Sequence, residues 1–183
     1  DYFTNNDPKL KKDFGTLVDE LRDAKEYGSI LNITPVDFSA LYDRVEEVRE
    51  DISLYRENVL NTVLPLIQVA EVMAQKYDAV VTNPPYMGSS GMDSKLADFT
   101  KRYYAETKSD LSTVFMEKTL SMCNDHGYMS MINIPVWMFI SSFEKLRLNI
   151  LNSNRIVTMV HPGRGIFGSD FGTTTFVVAK KYI

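Results

Sequence analysis

The sequence predicts an α/β fold. Short apolar runs that are typical of β-strands alternate, from residue 77 onward, with segments of helical periodicity. The last two runs are joined by a glycine-rich loop, which favours a terminal antiparallel pair. The earlier part of the chain has helical patterns only, so we expect a helical segment over residues 1–76 and a sheet-containing domain over residues 77–183. The four predicted strands are DAVVT, YMSMINI, RIVTMV and TTTFVVAKKYI.

The N-terminal segment contains three predicted helical stretches. In the first, apolar residues recur at helical spacing over residues 10–27, and Gly28 then supplies a stop. In the second, the same spacing runs over residues 38–55, and we interpret the charged opposite face as solvated. The third covers residues 58–76, where Pro65 either kinks the helix or marks its first turn.

In the C-terminal domain, DAVVT is short and continuously apolar, which predicts a strand buried on both faces of a parallel sheet. The loop MGSSGMDS follows it, and we expect a helix near residues 94–105. Ser109 or Asp110 is suited to cap the next helix. His126-Gly127 turns the chain into YMSMINI, and SSFEKLRLNILNSN has a helical pattern.

Composition excludes several classes of protein. Apolar residues make up 44% and charged residues 24%, which is ordinary for a soluble globular domain and excludes wholesale disorder. No window approaches the roughly 18 apolar residues that span a membrane, and the N-terminus lacks the features of a signal peptide. The formal net charge of -4 is unusual for a stand-alone nucleic-acid binder, so DNA binding would need a local basic surface or a further domain.

Cysteine and histidine are scarce. The single cysteine, Cys123, excludes internal disulfides and favours a reducing cytoplasm as the location. It falls within a helical pattern of apolar residues, so we interpret it as a buried core residue. His126 and His161 are far apart in the sequence and no cysteine cluster accompanies them, so we expect no metal site.

A glycine motif, GRGIFG, matches the dinucleotide-binding pattern G-x-G-x-x-G at Gly163, Gly165 and Gly168. It follows a predicted strand, as that pattern requires. The next segment, SDFGTTTFVV, is another predicted strand rather than the helix whose N-terminus would bind phosphate. We therefore interpret GRGIFG as a glycine-rich loop.

A second motif, NPPY, occupies residues 83–86, directly after the DAVVT strand. Taken alone it is compatible with a rigid turn, because prolines hold φ near −65° and cannot donate ladder hydrogen bonds. Its position favours a functional site, since open α/β sheets bind ligands at the carboxyl ends of their strands.

The residues of NPPY suit one kind of chemistry. An exocyclic amino group on an aromatic ring is a weak nucleophile, because its lone pair is delocalised into the ring. Two acceptors aimed at its N–H bonds favour a pyramidal, more reactive nitrogen. Asn83 offers a side-chain oxygen, and a proline offers a carbonyl whose direction is limited by the fixed φ. Tyr86 can stack on a base, a contact worth about 1–3 kcal/mol, so catalysis would depend on positioning and preorganised electrostatics.

The strand, the Asn83-Pro84-Pro85-Tyr86 signature and the αβ units after it resemble the DNA methyltransferases that methylate amino groups with S-adenosylmethionine. YDAVVTNPPYMG after a helical segment and IFGSDFGTTTFVVAKK at the end make the chain similar to the large adenine-specific methylases. These belong to type IIG restriction-modification systems and, more closely, to the PglX-like methylases of BREX phage defence. The resemblance covers roughly residues 70–183 and is most specific over residues 77–88. It implies a Rossmann-like, class I methyltransferase fold, present only in part.

The resemblance also implies roles for the NPPY residues. Asn83 and Pro84 would accept hydrogen bonds from the N6 amino group of adenine. Pro85 would shape the turn, and Tyr86 would stack on an adenine flipped out of double-stranded DNA.

An aromatic residue before the final strand often packs against the other side of the adenine in this family. Phe167 matches that position best, and Phe171 is the alternative. A loop aromatic that covers the core remains an equal interpretation of Phe167.

The chain departs from the family in its cofactor site. The F-x-G-x-G turn that normally lies upstream of NPPY is not identifiable, because the segment before Tyr77 contains only Gly15 and Gly28. The acidic residue for the cofactor ribose and the target-recognition domain are not identifiable either. The chain also begins without Met, so we expect an excised, C-terminal part of a catalytic domain that needs the remainder of its parent polypeptide to bind S-adenosylmethionine.

The missing first strand has a structural consequence. In the family, the NPPY strand lies between that first strand and the strand that corresponds to YMSMINI. DAVVT would therefore lack one neighbour, and an unpaired apolar edge favours aggregation unless it is covered. We expect either that residues 1–76 cover this edge or that two copies of the chain pair there as a homodimer.

The sequence therefore predicts an S-adenosylmethionine-dependent adenine-N6 DNA methyltransferase from a restriction-modification or phage-defence system, with this fragment inactive alone. One alternative is a non-catalytic DNA-docking or scaffold module that retains the adenine pocket. Another is a protein-glutamine or RNA methyltransferase, because NPPY suits any planar amide or amino nitrogen. We expect no membrane partner and a cytoplasmic location.

Overall fold

The structure, a computed structural model, describes residues 2–165 and 172–181. The chain divides into two compact units, Asp1–Gln75 and Lys76–Ile183. In its described residues the first unit contains helices and the second contains helices and a sheet.

The first unit has helices α1 (Pro8–Glu20), α2 (Ala24–Tyr27), α3 (Phe38–Glu50), α4 (Arg56–Asn58) and α5 (Leu64–Ala74), with a 3-10 turn at Gly28–Ile30 and a π-helical turn at Val59–Val63. Three of these helices, α1, α3 and α5, contact one another. They contribute Leu17, Leu41 and Ile67 in turn, and each of these side chains has 0% exposure. This packing therefore buries one apolar side chain from each of the three predicted helical stretches.

Helix ends in this unit differ from the predictions. The first stretch ends at Glu20, and Gly28 instead ends the short helix α2 with φ +56°. The second stretch ends at Glu50, which leaves Ile52 fully exposed, at 100%. Periodicity alone overestimates these helices because their ends depend on capping and on packing partners. Pro65 lies in the first turn of α5, which is one of its two predicted positions.

The second unit has strands β1 (Tyr77–Thr82), β2 (Cys123–Asn133), β3 (Asn154–Gly163) and β4 (Thr173–Lys180), and helices α6 (Ser94–Tyr103), α7 (Leu111–Met122) and α8 (Glu144–Ser153). These strands form a four-stranded sheet in the order β1-β2-β4-β3. β1 and β2 are parallel, and β4 is antiparallel to both of its neighbours. The α/β class and the antiparallel terminal pair are confirmed.

One face of the sheet, which we call the covered face, packs under α7 and α8. These helices contact β1, β2 and β3, and they place Met116 and Ile150 in the same apolar cluster as the strands. Trp137 packs against Phe176 with the rings edge-on and their centroids 5.2 Å apart. The sheet residues of this cluster are Val80, Cys123, Met129, Met131, Ile156, Met159, Phe176 and Val178.

The opposite face, which we call the open face, exposes apolar side chains. Val81, Tyr128 and Val160 have exposed fractions of 76%, 44% and 57%. The prediction that DAVVT is buried on both faces is therefore wrong. β1 pairs only with β2 among the described strands, and its alternating side chains place Val80 in the core and Val81 on the open face.

Several local predictions agree with this unit. Asp110 caps α7, because its carboxylate accepts a hydrogen bond from the backbone N–H of Ser112 at 2.8 Å. Cys123 is fully buried, as predicted, although it begins β2 rather than lying inside a helix. Burial raises the pKa of its thiol, which suits a core residue rather than a reactive one.

Candidate active site

The NPPY motif lies at the carboxyl end of the parallel strand pair. β1 ends at Thr82, and the motif follows without a break. Pro84 is buried, whereas Asn83, Pro85 and Tyr86 are exposed. The two prolines end the strand because neither can donate a ladder hydrogen bond. The chain therefore presents Asn83 and Tyr86 to solvent at the edge where α/β sheets bind ligands.

A hydrogen bond joins the two exposed polar side chains of the motif. The Tyr86 hydroxyl donates to Asn83 Oδ1 at 2.8 Å, and it also lies 3.2 Å from the carbonyl oxygen of Ile132 in β2. Burial raises the pKa of Tyr86, so the hydroxyl remains a donor at neutral pH. Because an amide oxygen has two lone pairs, Asn83 Oδ1 retains one for a second donor. The pair is therefore held in place and can still accept a hydrogen bond from a ligand.

Asn133, at the end of β2, supports this edge of the sheet and was not predicted as a site residue. It has 0% exposure, and its Nδ2 donates to the backbone carbonyl of Ser112 at 3.3 Å. Its Oδ1 accepts from the backbone N–H of Ile134 at 2.7 Å. The bond to Ser112 connects the end of β2 to the first turn of α7. The available signal was a polar residue near the end of the mostly apolar run YMSMINI.

The loop after NPPY is connected to the start of α7 by backbone hydrogen bonds. The N–H of Leu111 donates to the Met87 carbonyl at 2.8 Å, and the N–H of Ser89 donates to the Ser109 carbonyl at 3.0 Å. A single 3-10 turn, Ser89–Gly91, lies within this loop. The segments before α7 and after NPPY therefore form one local structure beside the motif.

Phe167, predicted to pack against the base, and its alternative Phe171 lie outside the described residues. Their role stays a prediction. Of the nearby glycines, Gly163 and Gly165 have φ values of +87° and +79°, which glycine adopts most readily. A strand, β4, follows this loop, so the structure agrees with a glycine-rich loop rather than a dinucleotide site.

The described residues before β1 include no glycine-rich turn between a strand and a helix. Gly15 lies within α1, and Gly28 ends α2, so neither lies between a strand and a helix.

Residues 2–165 and 172–181 include no group of three or more His, Cys, Asp or Glu side chains that could hold a metal ion. Within the same ranges, no helix is both long enough and apolar enough to cross a membrane.

Two curated proteins are similar to much of the chain. Adenine-specific methyltransferase BrxX from Escherichia coli O9:H4 (strain HS) is 35% identical over 166 residues, which is 87% of this chain and 14% of that protein. Adenine-specific methyltransferase PglX from Lacticaseibacillus casei (strain Zhang) is 42% identical over 120 residues, which is 63% of this chain and 10% of that protein. The chain thus corresponds to a small part of each relative.

Among solved structures, a Listeria monocytogenes protein assigned to the class I S-adenosylmethionine-dependent methyltransferases aligns with a TM-score of 0.48 and 13% identity, over 98% of this chain and 70% of that one.

The sequence also matches the Eco57I restriction-modification methylase family over residues 18–167. That match includes β1, the whole NPPY motif, α6, α7, β2 and α8. The chain therefore belongs to the Eco57I restriction-modification methylase family.

Proposed function

We propose that this chain supplies the adenine pocket of an S-adenosylmethionine-dependent adenine-N6 DNA methyltransferase from a restriction-modification or phage-defence system. The observation that carries the proposal is the exposed Asn83–Tyr86 pair at the carboxyl end of β1, held by a 2.8 Å hydrogen bond. Family membership supports it, and so do the names of BrxX and PglX as adenine-specific methyltransferases.

In the proposed reaction, Asn83 Oδ1 and the Pro84 carbonyl accept hydrogen bonds from the N6 amino group of a flipped adenine. These bonds would draw the nitrogen lone pair out of conjugation and so make N6 a better nucleophile. Pro85 shapes the turn, and Tyr86 stacks on one face of the base. Phe167 is proposed for the other face. Acceptor groups that are already in position polarise the amino group without moving during the reaction. This is the usual advantage of a preorganised site.

S-adenosylmethionine supplies the transferred methyl group. Because the described residues before β1 contain no glycine-rich turn between a strand and a helix, we propose that the remainder of the parent polypeptide holds the cofactor and that this chain is inactive alone. The reaction is proposed to occur in the cytoplasm. The buried, unpaired Cys123 supports a reducing compartment.

The exposed position of β1 supports a further contact with the parent. β1 pairs only with β2 in the described sheet, and Val81 is 76% exposed. We propose that a strand from the remainder of the parent pairs with this edge. A homodimer of the fragment through the same edge is the alternative, and the mass of the isolated chain in solution separates the two.

The proposal is tested with Asn83→Ala in the full-length parent. Loss of one transition-state hydrogen bond commonly costs about 10²–10³ in kcat, so we expect at least a roughly 100-fold fall in methyl transfer to DNA. Binding of S-adenosylmethionine should change little. Asn83→Asp, which keeps an acceptor oxygen, should lose less activity. Undiminished transfer by Asn83→Ala would contradict the role assigned to Asn83.

The acceptor molecule distinguishes the competing functions. Radiolabelled methyl transfer to adenine in DNA supports the proposal, whereas transfer to RNA or to a protein glutamine would replace it with one of the alternatives. DNA binding by the full-length parent without any methyl transfer would favour a non-catalytic docking module. The isolated 183-residue chain serves as the control that should transfer no methyl group.

A further inference from the structure

A groove lined by two lysines and three serines lies between α6, the loop after NPPY and the segment before α7. Its volume is about 330 Å³. No aspartate or glutamate is among its lining residues, although the chain has 24 acidic residues and a net charge of -4. Its polar lining residues are Ser89, Ser90, Thr100, Lys101, Lys108 and Ser109.

The groove has a defined position relative to NPPY. Ser89 on one wall follows Tyr86 by three residues, and its backbone N–H donates to the carbonyl of Ser109 on the other wall at 3.0 Å. A backbone hydrogen bond of 2.8 Å from Leu111 to Met87 joins the same two segments. These bonds join the two walls of the groove, and one wall continues directly from NPPY along the chain.

Both lysines of the groove are available to an anion. Lys108 has no salt-bridge partner within residues 2–165 and 172–181. Lys101 Nζ lies 3.2 Å from Asp98, but these side chains are 62% and 78% exposed. Such an exposed ion pair contributes little stability, so Lys101 can exchange its carboxylate for another anion at low cost. The lining therefore carries two lysine ammonium groups and no carboxylate.

We propose that this groove, named here the lysine groove, binds a backbone phosphate of the DNA strand that carries the target adenine. The inference rests on the proposed function. A flipped nucleotide remains joined to its flanking phosphates, so the strand has to pass the rim of the base pocket. Lysine ammonium groups and serine hydroxyls are common phosphate ligands in protein–DNA complexes.

The experiment compares two charge-matched double variants of the full-length parent. Lys101→Gln with Lys108→Gln removes both cations of the lysine groove. Lys145→Gln with Lys181→Gln removes two other exposed lysines of the same unit, which pair with Glu106 at 3.4 Å and with Asp125 at 3.0 Å. The DNA dissociation constant is measured over a series of salt concentrations, and kcat and KM are measured for methyl transfer.

Each phosphate contact contributes about 0.9 to the slope of log affinity against log salt concentration. We expect the slope of the groove variant to fall by about 1 and its KM for DNA to rise by about 10-fold, with kcat at saturating DNA unchanged. The matched variant should keep both the slope and the KM of the unmodified protein. The unchanged kcat shows that the groove variant is folded.

Two results would overturn the proposal that the lysine groove binds a backbone phosphate. The first is an unchanged salt slope in the groove variant. The second is an equal fall in both double variants, which would show a general charge effect. Failure of the proposed function is distinguishable, because the salt slope reports DNA binding whether or not a methyl group is transferred. Asn83→Ala should lower kcat and leave the slope unchanged.

Discussion

Both faces of the sheet carry apolar side chains, but the surroundings of the two faces are opposite. On the covered face, Met129, Phe176 and Val178 have 0% exposure and pack under α7 and α8. On the open face, Val81 and Val160 are 76% and 57% exposed. Adjacent residues of one strand therefore have different surroundings: Val80 packs against the core, whereas Val81 is exposed to solvent.

This contrast indicates that the sheet is suited to a second covering layer. All-parallel sheets occur almost only with both faces covered, and β1 and β2 form a parallel pair within this mixed sheet. Exposed apolar patches on a soluble protein commonly mark a surface that another segment covers. We expect the remainder of the parent polypeptide to supply that layer, and the following predictions test the contrast between the two faces.

The largest expected effect is on the covered face. Phe176→Ala should lower the free energy of unfolding by about 3–5 kcal/mol, because it removes a buried ring and leaves a cavity beside Trp137. Val160→Ala, on the open face, should lower it by about 0.5 kcal/mol or less. Urea denaturation of the isolated chain measures both. Equal losses from the two variants would contradict the assignment of the faces.

A smaller, pH-dependent effect is expected from a lysine in α7. Lys118 is 4% exposed, and burial, together with the charge of Lys76, lowers its pKa from 10.5 to about 8. Between pH 8 and 10.5 the unfolded chain binds more protons than the folded chain, so this residue makes the unfolding free energy rise with pH. The wild type should gain stability relative to Lys118→Met across that window. A constant difference would show that the lysine titrates normally.

The smallest effect in the isolated chain is expected at the edge of the open face. Val81→Lys should change the unfolding free energy of this chain by about 0.5 kcal/mol or less, because Val81 is 76% exposed. In the full-length parent the same change should be clearly destabilising, because it would place a charge under the second layer. Thermal unfolding of both proteins measures the difference. A large loss in the isolated chain would show that Val81 is already buried there.

Local sequence signals were sufficient for the class of fold and for the position of the motif. Alternation of apolar runs with helical spacing predicted α/β, and the glycine-rich connection predicted the antiparallel pair of β3 and β4. Asp110 was predicted as one of two possible caps because its side chain can bond to the next turn. Pro84 and Pro85 marked the end of β1, since proline lacks the N–H that a strand needs. Each of these signals acts within a few residues of the chain.

The burial of individual residues and the details of the site required the folded chain. Val81 was wrongly predicted to be buried, because an apolar run does not show how many layers cover the sheet. The contact of Tyr86 with Ile132 joins residues 46 positions apart, and the lysine groove combines two loops separated by α6. Periodicity and capping describe neighbours along the chain, whereas these features depend on segments that meet only when strands and helices pack. Long-range packing therefore decides which of the locally predicted elements become a core, a site or an open surface.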